Sequence, residues 1–416
     1  MSANSSPGVS PAVARSMGGT PMPRRWPTVA LGDLVEPAKT WNPTRSPSDE
    51  VFDYIDLSAV DQDAKLITGA REVSCGEAPS RARQLVACGD VLVSTVRPNL
   101  NGVARVPDQL DGATASTGFC VLQARESKFD GGYLFHWVKS PAFVADMVSK
   151  ATGASYPAVS DRIIFDSHIP LPPLAEQRRI AEVLDRAEGL RAKRRAALAQ
   201  LDSLTQSLFL DLFGDPATNP KGWPVSGIKD VCELIVDCVN RTAAIVDGPT
   251  PFKMIRTSNV KEGKVNLATV RYVTEEVFNR WNRRATPRRS DVLLTREAPV
   301  GEAGMIESDD SVFLGQRLML YRANRERMTP EYLLASFRGA FLQQQFNRHG
   351  SGSTVKHLPL PACRNFQVHV PPIPLQREFA RRVTAVAALK TAQRAALAEL
   401  GALFATLQHR AFCGEL

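Results

Sequence analysis

The chain has 416 residues, above the roughly 250 to 300 at which a single hydrophobic core stops growing, so at least two domains are expected. With 44% hydrophobic and 23% charged residues, and no apolar run of about 18 residues, the composition is that of a globular chain without a membrane span. A formal net charge of +8 admits a polyanionic partner without requiring one.

Residues 1–23 are rich in Ser, Pro and Gly with one Arg and no apolar stretch, which predicts a disordered tail rather than a secretory signal. The seven cysteines (Cys75, Cys88, Cys120, Cys232, Cys238, Cys363, Cys413) form no C-x-x-C. They are therefore expected as small buried apolar residues, in neither a disulfide framework nor a zinc site, and the expected location is cytoplasmic.

Residues 24–170 predict a mixed α/β body, with a short apolar strand at Asp90–Thr95 and a helical pattern from Gly132 to Lys150. The next segment, 171–214, differs in kind. No proline interrupts Leu174 to Phe213, and Ile180, Leu184, Ala187, Leu190, Ala197, Leu201, Leu204, Leu208 and Leu212 recur at three- and four-residue steps, the stripe of a long amphipathic helix. A short linker at 215–221 leads to a second body, 222–370, with a strand at Asp291–Thr295 and a helical pattern from Pro330 to Arg348. A second long helix, 371–416, carries Phe379, Val383, Val386, Leu389, Ala396, Leu400, Leu403, Leu407 and Phe412. Each helix would be roughly 60 Å long at 1.5 Å per residue.

The chain repeats itself. Pro172-Pro173-Leu174 with Gln177-Arg178 returns as Pro371-Pro372-Ile373 with Gln376-Arg377, an offset of 199, which also carries Ala196–Leu201 onto Ala395–Leu400 and Gly153-Ala154-Ser155 onto Gly352-Ser353-Thr354. Gly89-Asp90-Val91-Leu92 meets Ser290-Asp291-Val292-Leu293 at 201, and Trp26-Pro27 meets Trp223-Pro224 at 197. Small drifts of this size fit loop insertions between two copies of one unit. A helix of this length cannot hide its apolar stripe on a small body alone. The two helices are therefore expected to pack on each other as an antiparallel coiled coil separating the bodies, an α+β architecture; two independently folded domains are the alternative.

Enzyme signatures are missing. No N-P-P-[YF], Walker A loop, G-x-S-x-G elbow or H-E-x-x-H occurs, and the six histidines are scattered without cysteines at ligand spacing. Glu262-Gly263-Lys264 downstream of Asp247 resembles a nuclease fragment, but its glycine marks a hairpin turn.

The P-P-L-x-E-Q-R-R-I-A run at Pro172 to Ala181, the G-S-T at Gly352 to Thr354 ahead of P-P-I-P-L-Q-R, and the terminal Ala411-Phe412-Cys413-Gly414-Glu415-Leu416 resemble the specificity subunit of type I restriction-modification systems. The resemblance covers nearly the whole chain beyond the tail. It implies a non-catalytic subunit with two target recognition domains, each reading half of a bipartite, asymmetric sequence in double-stranded DNA. The helices would set the gap and dock two methyltransferase subunits, which bind S-adenosylmethionine, with restriction/translocase subunits beyond them. The second junction departs from the first: Leu375 replaces Glu176, and Glu378-Phe379 replaces Arg179-Ile180.

Under that resemblance the candidate residues sort by chemistry. Residues 24–170 hold 15 basic and 18 acidic side chains, a net −3, whereas 222–370 hold 21 and 15, a net +6, so the second body is the stronger electrostatic footprint. Its densest patch, Arg280, Arg283, Arg284, Arg288 and Arg289, reads as a phosphate clamp or as a solvated turn. Base readers are sought in loops: Arg97, Asn99 and Asn101 after the first strand, Arg296 after the second, and Ser155, Tyr156 and Arg162 with Ser353, Thr354 and Lys356 ahead of the two junctions. The same residues also suit plain turns. Glu176, Gln177, Arg178, Gln376 and Arg377 are expected exposed, where a partner protein could dock. A protein-binding scaffold with an incidental basic patch, or an enzyme with an unrecognised site, are the competing functions.

Overall fold

The computed structural model describes residues 26–350 and 356–416; the tail at 1–23, and Ser353 and Thr354, lie outside the described residues. The chain divides into two units, Met1–Lys193 with Leu397–Leu416, and Arg194–Ala396. Each therefore takes about half of each long helix.

In the first unit an antiparallel sheet runs in the order Val35–Pro37, Phe119–Ala124, Val91–Ser94, Val103–Arg105. A second sheet orders Arg71–Ser74, Val51–Ile55, Thr114–Ser116 and Ala82–Leu85, with Thr114–Ser116 parallel to Val51–Ile55. Val91, Leu92 and Val93 are all buried. A strand covered on both faces reads as such an apolar run without alternation.

The second unit repeats this plan. Cys232–Asp237, Leu318–Ala323, Val292–Arg296 and Val300–Met305 adopt the same order, continued by Gly263–Val265 and Val260–Lys261. Phe252–Ile255 lies parallel to Ser311–Leu314. The first and last strands of each body pair antiparallel, Thr28–Ala30 with His168–Pro170 and Val225–Gly227 with Gln367–His369. Glu262 and Gly263, both at positive φ, form the expected hairpin turn between Val260–Lys261 and Gly263–Val265.

Each single helical pattern of the bodies is two helices: Gly131–Val138 and Pro141–Lys150, then Pro330–Arg338 and Ala340–His349. Pro141 cannot donate within a helix, so Ser140 starts a new one, its hydroxyl accepting from the Phe143 N–H at 3.3 Å. Gly339 makes the equivalent break.

The long helices span Leu174–Phe213 and Ile373–Cys413, 40 and 41 residues. In the first unit an Arg179 guanidinium N–H donates to the Leu416 carbonyl at 2.7 Å, and Arg191 stacks 4.6 Å over Phe404. In the second, Asp202 meets Lys390 at 2.9 Å, and Phe209 and Phe213 meet Phe379 at 5.7 and 5.4 Å. Rising numbers meet falling ones in both, so the segments pack antiparallel, as expected. The linker folds back to close the first helix: Trp223 Nε1–H donates to the Phe213 carbonyl, and Lys221 Nζ to the carbonyls of Asp211 and Leu212, using orphan acceptors of the last turn.

These segments belong to the cores of the bodies. Ile180, Leu184, Phe404 and Ala411 pack with Tyr133, Leu134 and Val138; Phe209, Phe213 and Phe379 pack with Tyr332, Leu333 and Phe337. His136 lies fully buried at the first of these contacts, with Nε2 2.7 Å from Asp185 and its carbonyl accepting from Gln408. Burial holds the imidazole below its ordinary value against the opposing pull of Asp185, so a neutral ring donates to an ionised carboxylate.

Gln177 and Gln376 correct the sequence expectation. Both are fully buried and cannot meet a partner. Gln177 Oε1 accepts from the Asp130 N–H at 2.9 Å, while Nε2 donates to the carbonyls of Pro172 and Lys128. Gln376 does the same with the Thr329 N–H and the carbonyls of Pro371 and Arg327. The Q-R of the repeat thus joins a buried staple to an exposed arginine. Gln376→Ala would leave a buried N–H and two carbonyls without their partner, at a cost of about 1–3 kcal/mol per buried group. Calorimetry should show a melting point several degrees lower, whereas Arg377→Ala should move it by less than about one or two degrees; equal shifts for the two would contradict the staple.

Candidate nucleic-acid interface

Each unit pins two loops together. In the first, the Val159 N–H donates to the Thr95 carbonyl at 2.9 Å and Arg97 N–H to Pro157 at 2.7 Å, with a bridge between Val96 and Ala158. In the second, the Leu358 N–H donates to the Arg296 carbonyl at 2.9 Å, with a bridge between Glu297 and His357. Among the described residues, the loop that follows the repeated strand therefore lies beside the segment at Pro157–Val159 in the first unit and at His357–Leu358 in the second.

The side chains differ. Arg97, Asn99, Ser155, Tyr156 and Lys356 are exposed, and Arg162 is exposed beside Asp166 at 3.6 Å. Asn101 is half-buried at φ 47°, with its amide 3.4 Å from the Lys139 carbonyl and its own carbonyl accepting from Lys65. Arg296 is likewise half-spent, its Nε–H donating to the Leu358 carbonyl at 2.9 Å.

The repeated aspartate at the strand start has a structural role that sequence reasoning missed. Buried Asp90 accepts from the Ala87 N–H and the Gln123 amide, at 2.8 and 2.7 Å. Asp291 accepts from the Arg288 N–H at 2.7 Å and from both forks of Arg322 at 2.8 Å. The signal was available: Gln123 and Arg322 stand one offset of 199 apart.

The arginine patch is not a uniform clamp. Arg280 pairs with Glu276 at 2.7 Å, Arg284 with Asp237 at 3.0 Å, and Arg289 with Asp309 at 3.8 Å, while Arg283 Nε–H turns to the Arg280 carbonyl. Arg288 lines a cleft of about 470 Å³ with Arg289, Arg322, Asn324, Arg325 and Glu326. Arg325 and Asn324 were not singled out from the sequence, since neither sits in the dense run. This cleft opens at the start of the strand Val292–Arg296 and the pinned loops follow its end, roughly 16 Å along at a strand's rise. Two such sites suit two places on an extended ligand.

Among the described residues no cluster of His, Cys, Asp and Glu could hold a metal ion, and no helix is long and apolar enough to cross a membrane. Five cysteines are buried as expected, but Cys88 and Cys413 are exposed.

The model of the type I restriction modification DNA specificity domain matches residues 23–200 and again 220–400. The chain belongs to this family. It is 24% identical over 330 residues to the type I restriction enzyme EcoBI specificity subunit of Escherichia coli, covering 71% of this chain and 68% of that one. A solved chain, described for complex assembly and conformational transition of the type I R-M system, superposes with a TM-score of 0.60 at 28% identity, over 95% of this chain and 99% of that one. The S subunit of M. genitalium shares the fold, with a TM-score of 0.55 at 13% identity over 93% and 96%. The two matches of the family model carry the repeat seen in the sequence, and they make this chain a DNA specificity subunit.

Arg288 combines exposure, a cleft wall and a guanidinium outside the ion pairs found among the described residues. Arg288→Ala should lower the slope of log affinity for DNA against log salt by about one, equally for all sequences, as read by anisotropy titrations of the assembled complex across a salt series. Arg280→Ala, which also frees Glu276, should change the slope less; an unchanged slope for Arg288→Ala would remove it from the phosphate contacts.

Proposed function

We propose that this specificity subunit reads a bipartite, asymmetric duplex, one half with each unit, and contributes no chemistry of its own. The observation that carries this reading is the recurrence of one loop pinning with different side chains: the pair of loops pinned at Thr95 and Val159 recurs at Arg296 and Leu358, yet Arg97-Pro98 corresponds in sequence to Ala298-Pro299. The same frame with different reading edges suits two unlike half-sites. Arg97, Asn99, Ser155, Tyr156 and Arg162 serve one half, and Arg296, Ser353, Thr354 and Lys356 the other. Of the arginine patch, Arg288 supplies the main phosphate contact, and Arg280, Arg283, Arg284 and Arg289, partly spent within the unit, contribute less.

The helices offer the same surface twice. Exposed Leu190 and Leu389, and exposed Leu204 and Leu403, are each one offset of 199 apart, as are exposed Arg178 and Arg377. Exposed positions repeated at one sequence offset fit two copies of one partner. Those copies are N6-adenine methyltransferase subunits, which hold S-adenosylmethionine, and restriction/translocase subunits join through them in the cytoplasm.

Both long helices continue unbroken from one unit into the other, so their length acts as a ruler. Inserting four helical residues after Lys193 and four after Ala396 adds about 6 Å. Long-read detection of modified adenines should then show the unread gap longer by one or two base pairs with both half-sites unchanged. A modified sequence with its original gap would reject the ruler.

A further inference from the structure

The first unit's loop pair holds an arginine whose placement its second-unit counterpart lacks. Arg97 is left-handed, with φ 50° and ψ 62°, a conformation that costs a residue with a Cβ roughly 1–2 kcal/mol. Its guanidinium lies 4.5 Å from the centre of the Tyr156 ring. That ring is 67% exposed, so the stack buries little apolar surface and is poorly explained as core packing. Among the described residues the Arg97 guanidinium makes no hydrogen bond; its face is covered and its edge of N–H donors is unused. The matching left-handed position in the second unit is Ala298, at φ 47°, and the nearby Arg296 spends its Nε–H on a backbone carbonyl.

We propose that Arg97 reads a guanine in the major groove of the first unit's half-site, with Tyr156 as its positioning residue. The inference deepens the DNA-reading function and rests on it. A guanidinium stacked on one face and anchored through its backbone presents a planar fork in a fixed direction, which suits the paired O6 and N7 acceptors of guanine. Holding the fork before binding lowers the ordering cost of using it. A phosphate contact would require the charge but not this direction. Ala298, the residue matching Arg97, carries no such fork, so this contact is made in the first half-site only.

The test uses the complex assembled with its methyltransferase partners, acting on duplex libraries randomised one half-site at a time. Arg97→Lys keeps the charge and loses the fork. It should relax the preference for guanine at one position by about ten- to a hundredfold, leaving the remaining positions and the second half-site as they were. Tyr156→Ala should relax the same position and Tyr156→Phe, which keeps the ring, should not. Retained preference at the other positions of the first half-site certifies that the first unit of each variant is folded; should Arg97→Lys fail that check, the Tyr156 pair decides by the same criterion. An unchanged preference, or a loss spread evenly over all positions as for a phosphate contact, overturns the assignment. A wild-type complex that methylates without any sequence preference overturns the DNA-reading function itself, a separable result.

Discussion

The contact on which the rest of the molecule depends is the burial inside the bodies of the apolar residues toward the ends of the long helices, while Leu190, Leu204, Leu389 and Leu403 of the same stripe stay exposed. Phe209 and Phe213 pack with Phe379 and Tyr332 in one unit, and Ile180 and Leu184 pack in the cluster with Phe404 and Tyr133 in the other. Fully burying each such side chain contributes about 1.5–3 kcal/mol, so removing the helical segments would strip either core of several such terms. Gln177 and Gln376 then fix the angle at which each helix leaves its body, because an amide with one acceptor and two donors engaged tolerates little rotation. The start of each long helix is thereby tied to the start of the body's helical pair, at Asp130 in one unit and Thr329 in the other.

That arrangement separates two demands. Under the proposed function, a like frame in both units would place two partners alike, and differing loops would read differing half-sites. The buried aspartates show how the frame tolerates change: Asp90 is met by a neutral glutamine, and Asp291 by an arginine. Arg322 keeps its charge beside Asp291, in a cleft where Arg288, Arg289 and Arg325 stand with Glu233 and Glu326.

Much of this is legible in the sequence. The helix pair, the duplicated bodies and the strands around Val91 and Val292 followed from periodicity and from offsets within the chain. What escaped was whatever depends on tertiary partners. Gln177 and Gln376 look like surface residues because glutamine usually is one, and only the returning Asp130 and Thr329 backbones reveal the buried role. The arginine run gave a density of charge without its carboxylates, since Asp237 and Asp309 are distant in sequence from Arg284 and Arg289. Single helical patterns concealed breaks at Ser140-Pro141 and Gly339, where the proline's missing N–H or the glycine's poor helix propensity outweighs the apolar period.

The most direct measurement compares two fragments of the second unit by thermal and denaturant unfolding: residues 194–396, carrying both helical segments, and residues 222–370, the body alone. If the helices complete the core, the longer fragment unfolds cooperatively at a melting point near that of the full chain, and the shorter one shows no cooperative transition. Equal, cooperative unfolding of both would mean that the bodies stand without the helices, and the account of the helices as completing the core would fail.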